Sequence, residues 1–268
     1  MLPSIVVVME IIIGTMAPFG PMTSNKSDCL QMPDTDPIDD HHKDCLSNCH
    51  FERRPLYSHR QRPASKQTIS TDPDGGSEMW KEGEVFPAQE KYALCRCGQS
   101  KTKPFCDGTH VKIRFNGTET AIREPYLKQA NVFDGPTLQL TDLESLCAFA
   151  RFCDPHGKVW NQVKRTDEPE IRESFIRQVE NCPAGRLVAW DKASGKIVEK
   201  EFPVSIGLVE DPEQHCSGPL WLRGGISVVS ADGFEYEVRK RVTLCRCGRS
   251  KNKPFCDGTH ASIKFHSE

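Results

Sequence analysis

Leu94 to His110 reads Leu-Cys-Arg-Cys-Gly-Gln-Ser-Lys-Thr-Lys-Pro-Phe-Cys-Asp-Gly-Thr-His, and Leu244 to His260 repeats it. The second copy differs only where Gln99 becomes Arg249 and Thr102 becomes Asn252. Stripped to metal-binding side chains, each copy is Cys-x-Cys-x8-Cys-x3-His. The sets are Cys95, Cys97, Cys106 and His110, and Cys245, Cys247, Cys256 and His260. Three thiolates and one imidazole close a four-ligand shell suited to a soft or borderline metal.

The spacing bears on which metal. Structural zinc sites usually part their paired cysteines by two to four residues, so that the chain wraps one ion. A single intervening residue is tighter, but two such sulfurs can grip one iron of a cluster while Cys106 and His110 hold the other. Mixed Cys/His ligation is known from Rieske centres, where both imidazoles sit on one iron. On ligand type alone, zinc stays an alternative. Pro104 and Pro254 stiffen the approach to the third cysteine. Asp107-Gly108 and Asp257-Gly258 are turn dipeptides whose glycines tolerate positive φ. Thr109 and Thr259 are expected to cap a short helical turn that presents the histidine.

These residues resemble the signature of the CDGSH-type, mitoNEET-like iron–sulfur domains, Cys-x-Cys-x2-Ser-x3-Pro-x-Cys-Asp-Gly-Ser/Thr-His. Both copies match at every position, including Ser100, Pro104, Ser250 and Pro254. The resemblance implies one [2Fe–2S] cluster per motif, two in the chain, each bound by its three cysteines and histidine. It also implies two small β-rich modules in a pseudo-two-fold arrangement. With the stretch between them, the expected fold class is α+β.

Formal charge is −2 over 268 residues, which argues against a general nucleic-acid binder. Thirteen cysteines, an odd number with ligand-like bunching, read as metal chemistry rather than a disulfide framework. Thiolate ligands need a reducing compartment, cytoplasmic or mitochondrial. The apolar residues Ile5 to Val8 and Ile11 to Ile13 are interrupted by Glu10 and too short to span a bilayer. No basic residue precedes them as in a signal peptide. Met16 or Met22 is an alternative start, and the Asn-x-Ser/Thr triplets at Asn25 and Asn116 carry little weight.

Four regions follow. Residues 1–75 read as a disordered leader or as mis-assigned sequence ahead of the start. Within them Cys29, Cys45, Cys49 and His50, with His41 and His42 nearby, are either a weak metal site or free side chains. Residues 76–124 form the first module, with a strand at Tyr92 to Leu94 and a half-buried strand at Val111, Ile113 and Phe115. Residues 219–268 form the second, with strands suggested by Trp221, Ile226, Val228 and Val229, and with Ile263 and Phe265 in the matching places.

Residues 125–218 are an α+β insert. Thr141-Asp-Leu-Glu144 reads as a capping box opening a helix through Phe152. Asp167 and Pro169 open a second helix with Ile171, Phe175, Ile176 and Val179 on its apolar stripe, through Asn181. Arg186 to Trp190 and Lys196 to Phe202 read as a hairpin. Cys182-Pro183-Ala184-Gly185 resembles the last-ligand corner of ferredoxin-like single-cluster domains. Cys147 and Cys153 would join Cys182 in a third iron–sulfur cluster, with Cys216, His156 or His215 as fourth ligand. The competing reading makes these cysteines small buried hydrophobes and leaves both histidines exposed.

A fully ligated cluster has no open position and suits one-electron transfer. Gly224-Gly225 is a turn, and no catalytic triad, phosphate loop or carboxylate pair stands out, so a non-enzymatic protein is expected. The imidazole raises the reduction potential relative to all-cysteine ligation, couples the electron to a proton and makes the site acid-labile. Three roles stay open: electron carrier, cluster donor or redox and pH sensor, and structural zinc module. The expected partner is a redox protein or an apo-acceptor of clusters, with no nucleic acid and no membrane span. A monomer with an internal pseudo-dimer is expected rather than a homodimer. Arg96, Lys101, Lys103, Arg246, Arg249, Lys251 and Lys253 would offset thiolate charge, dock an acidic partner, or simply be solvated.

Overall fold

In the computed structural model each ligand loop is fed by a β-hairpin and a short strand. The structure describes residues 63–87 and 91–267, with the backbone of Val6–Val7 and Leu56–His59. Ile11 to Ile13, Met16, Met22, Asn25, Cys29, His41, His42, Cys45, Cys49 and His50 lie outside the described residues.

Ala64–Thr71 pairs antiparallel with Ser77–Phe86, and Ser205–Asp211 with Cys216–Arg223. The first strands of the two hairpins run parallel side by side, Ala64 opposite Ile206 and Thr68 opposite Glu210. They form the middle of a five-stranded sheet in the order Arg241–Leu244, Cys216–Arg223, Ser205–Asp211, Ala64–Thr71, Ser77–Phe86. Each half thus repeats hairpin, strand and ligand loop about that parallel pair. The halves differ at the last strand. Arg241–Leu244 extends its own hairpin, whereas Lys91–Leu94 pairs with Leu56–His59.

Two boundaries move. Ala64–Thr71 belongs to the sheet, although composition assigns it to the leader. Its Ala64 and Ile69 are buried, and pairing to Ser205–Asp211 supplies the core that so polar a strand lacks alone. The second hairpin begins at Ser205, inside the stretch assigned to the insert, because that strand pairs with the module rather than with the insert sheet. Trp221 anchors this sheet, fully buried, with Trp80 at 4.7 Å and Phe202 at 5.7 Å between ring centroids.

The insert is α+β, as expected. Asn131–Asp134, Leu138–Asp142, Leu187–Asp191 and Ile197–Val198 form an antiparallel sheet in that order. Helix Pro169–Asn181 buries Phe175 and Val179 against Leu138, Leu140, Leu187 and Ala189. Its N-cap is Glu168 rather than Asp167, with Pro169 in the first turn. The hairpin is present, and Asp191 accepts from the Ser194 N–H and hydroxyl at its turn.

Two expected elements are absent. The helix over 141–152 does not form: Thr141 lies in strand Leu138–Asp142, only Glu144–Leu146 makes a 3-10 turn, and Phe149 and Arg151 take positive φ. The Thr141 hydroxyl, which the capping box would use, instead accepts from Tyr126 Oη and Trp190 Nε1. The half-buried strand at 111–115 is also replaced. Thr109–Lys112 is a helical turn, and the Phe115 N–H returns to the His110 carbonyl at 2.9 Å. Val111 and Ile113 are exposed; so is Ile263, while Phe265 is buried after the matching turn Thr259–Ser262.

Candidate metal centre

Each ligand loop is closed on its own strand by backbone bonds. The Cys95 N–H donates to the Pro104 carbonyl and the Cys106 N–H to that of Ala93, both at 2.8 Å. Cys245 and Cys256 repeat this with Pro254 and Thr243 at 2.9 Å. The Ser100 and Ser250 hydroxyls donate to the Phe105 and Phe255 carbonyls at 2.6 and 2.7 Å, so each brackets its loop from inside. Asp107 accepts from the Lys101 and Thr109 N–H groups, and Asp257 from those of Lys251 and Thr259. The N-cap of each histidine turn is a left-handed glycine, Gly108 or Gly258, rather than the threonine, and the aspartate before it accepts from the threonine N–H.

The four candidate ligands of each motif approach in pairs. Cys95 and Cys97 Sγ stand 3.7 Å apart, and Cys106 Sγ is 3.2 Å from His110 Nδ1. In the second motif the separations are 3.9 and 3.4 Å. Among the described residues, no three His, Cys, Asp or Glu side chains converge as around a single ion. Two-plus-two spacing fits a cluster whose ligands are shared between irons.

The donor chemistry fits as well. Without metal, Cys97 donates to Cys95, which pulls the Cys95 thiol down to about 6 and pushes that of Cys97 up; Cys245 likewise falls to about 6 beside Cys247. Backbone N–H groups of Ser100 and Gly98 reinforce the first, and those of Ser250 and Gly248 the second. These donors favour the thiolate that binds metal. Burial pushes Cys106 and Cys256 up and both histidines down, His260 to about 4. Neutral imidazole is the form that ligates.

The two motifs meet back to back. A Cβ at Gly98 would lie 2.8 Å from the Cys247 carbonyl oxygen, and one at Gly248 would lie 2.6 Å from that of Cys97. Both glycines have positive φ, so each Cys-x-Cys-Gly turn approaches the other through its glycine. The glycine after Cys-x-Cys in both copies was the available sequence signal for this contact.

The arginines between the paired cysteines are not solvated. Arg96 and Arg246 are 5% and 4% exposed. Burial lowers both; the charge of Arg96 is supported by Glu119 and by Cys245 of the other motif, and that of Arg246 by Glu210 and by Cys95 of the other motif. Arg246 Nη1 donates to Glu210 Oε1 at 2.9 Å. Lys103 and Lys253 turn inward to the Ser100 and Ser250 carbonyls. Lys101, Arg249 and Lys251 are exposed.

In the insert, Cys147, Cys153 and Cys182 are free, half-buried thiols. Burial raises Cys153 to about 12, with Asp154, Cys182 and Cys147 adding to it. Arg186, paired with Asp142 at 2.6 Å, reaches Cys147. Arg241 donates to the carbonyls of Val179, Glu180 and Cys182, and Arg239 to those of Ala184 and Gly185, fixing the Cys-Pro corner. Cys216 does not join them. It is buried in strand Cys216–Arg223 near Asp211, and His156 and His215 are exposed.

Among the described residues no helix is long and apolar enough to cross a membrane. No curated protein and no solved structure matches the chain. Family models do match. The iron-binding zinc finger CDGSH type covers residues 66–111 and 217–261, and the divergent 4Fe-4S mono-cluster covers residues 133–192. Iron–sulfur binding is the property these matches support. The chain therefore carries two CDGSH-type motifs, and they flank a stretch that matches a 4Fe-4S model.

Proposed function

We propose that each motif holds one [2Fe–2S] cluster and that the chain acts as a one-electron carrier rather than a catalyst, in a reducing compartment. Cys95, Cys97, Cys106 and His110 would hold the first; Cys245, Cys247, Cys256 and His260 the second. A bound cluster supplies reversible one-electron chemistry. The observation that carries the reading is the pairing of ligands, 3.7 and 3.2 Å in one motif and 3.9 and 3.4 Å in the other. Backbone N–H groups aimed at the sulfurs and the crossed guanidiniums of Arg96 and Arg246 offset thiolate charge, which raises a potential already lifted by the imidazole. Cys147, Cys153 and Cys182 would hold a further iron–sulfur cluster in the insert.

Anaerobic potentiometric titration tests the role. Reversible one-electron reduction, with retention of colour on reoxidation, is the expected outcome. His110→Cys and His260→Cys should keep their colour, shift to lower potential and resist acid. Irreversible bleaching on reduction would contradict the carrier role. A cluster donor is the second reading, favoured by the partial exposure of Cys106 and His110. Transfer of intact clusters from the first motif to an apo-ferredoxin would support it.

A further inference from the structure

The second ligand loop lies beneath a segment of the insert, and that segment carries Cys147. A Cβ at Gly258 would stand 3.1 Å from the Cys147 carbonyl oxygen and 3.2 Å from Phe149 Cβ; at Gly108 it would meet nothing within 4 Å. Asn252 Nδ2 donates to the Ser145 carbonyl at 2.8 Å. Arg151 forks onto Asp211, and both side chains are largely buried. The segment does not rest in a relaxed conformation, since Phe149 and Arg151 are non-glycine residues with φ of 54° and 60°. Such residues persist only where surrounding contacts hold them. Cys147 and Cys153 sit at either end of this strained stretch, so whatever joins them to Cys182 also tightens it. Cys182 is itself immobilised through Arg241, whose strand runs into Cys245.

We infer that Leu143 to Phe152 is a cover which couples the insert's cysteines to the second motif: with Cys147, Cys153 and Cys182 joined by metal, the second motif keeps its iron longer than the first, and without that clamp it loses the advantage. The inference rests on the reading that the insert binds iron. It concerns the residues that retain metal and leaves the electron-transfer role open.

The test is iron release from anaerobically purified full-length chain to an excess of a ferrous chelator, followed by absorbance. One background carries Cys106→Ser with His110→Ala, which empties the first motif; its mirror carries Cys256→Ser with His260→Ala. Cys182→Ser is then added to each. In the first background it should lower the iron count per chain and speed release from the second motif by roughly fivefold or more, the equivalent of about one buried hydrogen bond. In the mirror background, release from the first motif should not change, which also shows that the fold survives. Arg151→Ala, which frees the cover without touching a cysteine, should speed the second motif in the same way. An iron count unaltered by Cys182→Ser would overturn the reading of a metal in the insert. A lowered count with unchanged release from the second motif would overturn the coupling alone. Unchanged release in Arg151→Ala would show that the segment is not the cover.

Discussion

The two ligand loops share fifteen of their seventeen residues, yet they sit in different surroundings. In the first, Cys106 and His110 are half-buried, Asp107 and Val111 are exposed, and Gly108 faces open space. In the second, Cys256, His260 and Ala261 are buried, with His260 only 4% exposed. The difference comes from outside the loops. The Thr120 and Ala121 N–H groups donate to the Lys253 carbonyl, the Thr120 hydroxyl donates to that of Lys251, and the insert lies over Gly258. The same candidate ligands stand in both loops, and the packing around them sets how accessible they are.

The most disruptive way to probe the pair is to part them. Gly98→Ala or Gly248→Ala forces a positive-φ position to carry a Cβ and drives it into the opposite motif's backbone. The combined strain and overpacking should cost about 3 kcal/mol or more. Each single variant should damage both motifs, read as loss of stability by denaturant titration and loss of iron from both. If either variant affected its own motif alone, the back-to-back contact would be disproved.

Acid should separate the motifs next. Burial holds His260 at about 4, whereas an unfolded histidine titrates near 6.5. As pH falls below about 6.5 the unfolded chain takes up a proton that the folded chain refuses. Stability is therefore intact above that value and lost progressively down to about 4. For the metal-free protein the loss from His260 should approach roughly 3 kcal/mol, measured by denaturant titration across that window. His260→Gln should flatten the slope more than His110→Gln, because His260 is buried whereas His110 is only half-buried. Equal flattening by the two would contradict the asymmetry.

Position 252 offers a finer cut. Asn252→Thr gives the second loop the first loop's residue and removes the bond to Ser145, at a cost of about 1 kcal/mol. Thr102→Asn in the first loop has no such partner to find and should be close to neutral. Thermal unfolding of the two variants compares them directly. The remaining difference, Gln99 against Arg249, is exposed in both copies. Exchanging those residues should change stability by less than about 0.5 kcal/mol in the same assay.

What the sequence discloses follows the range of the interactions. Ligands, turn glycines and the bracketing serines act over a few residues, so the motif is legible in one dimension. Helix Pro169–Asn181 is legible for the same reason, since its apolar stripe recurs within one element. Thr141 misleads because its hydroxyl is claimed by Tyr126 and Trp190, far off in sequence, and strand pairing prevails over the capping box. Ala64–Thr71 is too polar to read as core until its parallel neighbour is known. The burial of Arg96 and Arg246 depends on the opposite motif and has no local signature beyond an arginine between two ligands in each copy.

The claim beneath all of this is that each paired ligand set holds two irons. Counting iron, acid-labile sulfide and zinc per chain in anaerobically purified protein tests it most directly. The account predicts at least two irons and two sulfides for each motif, with no stoichiometric zinc. One zinc per motif and no sulfide would contradict it.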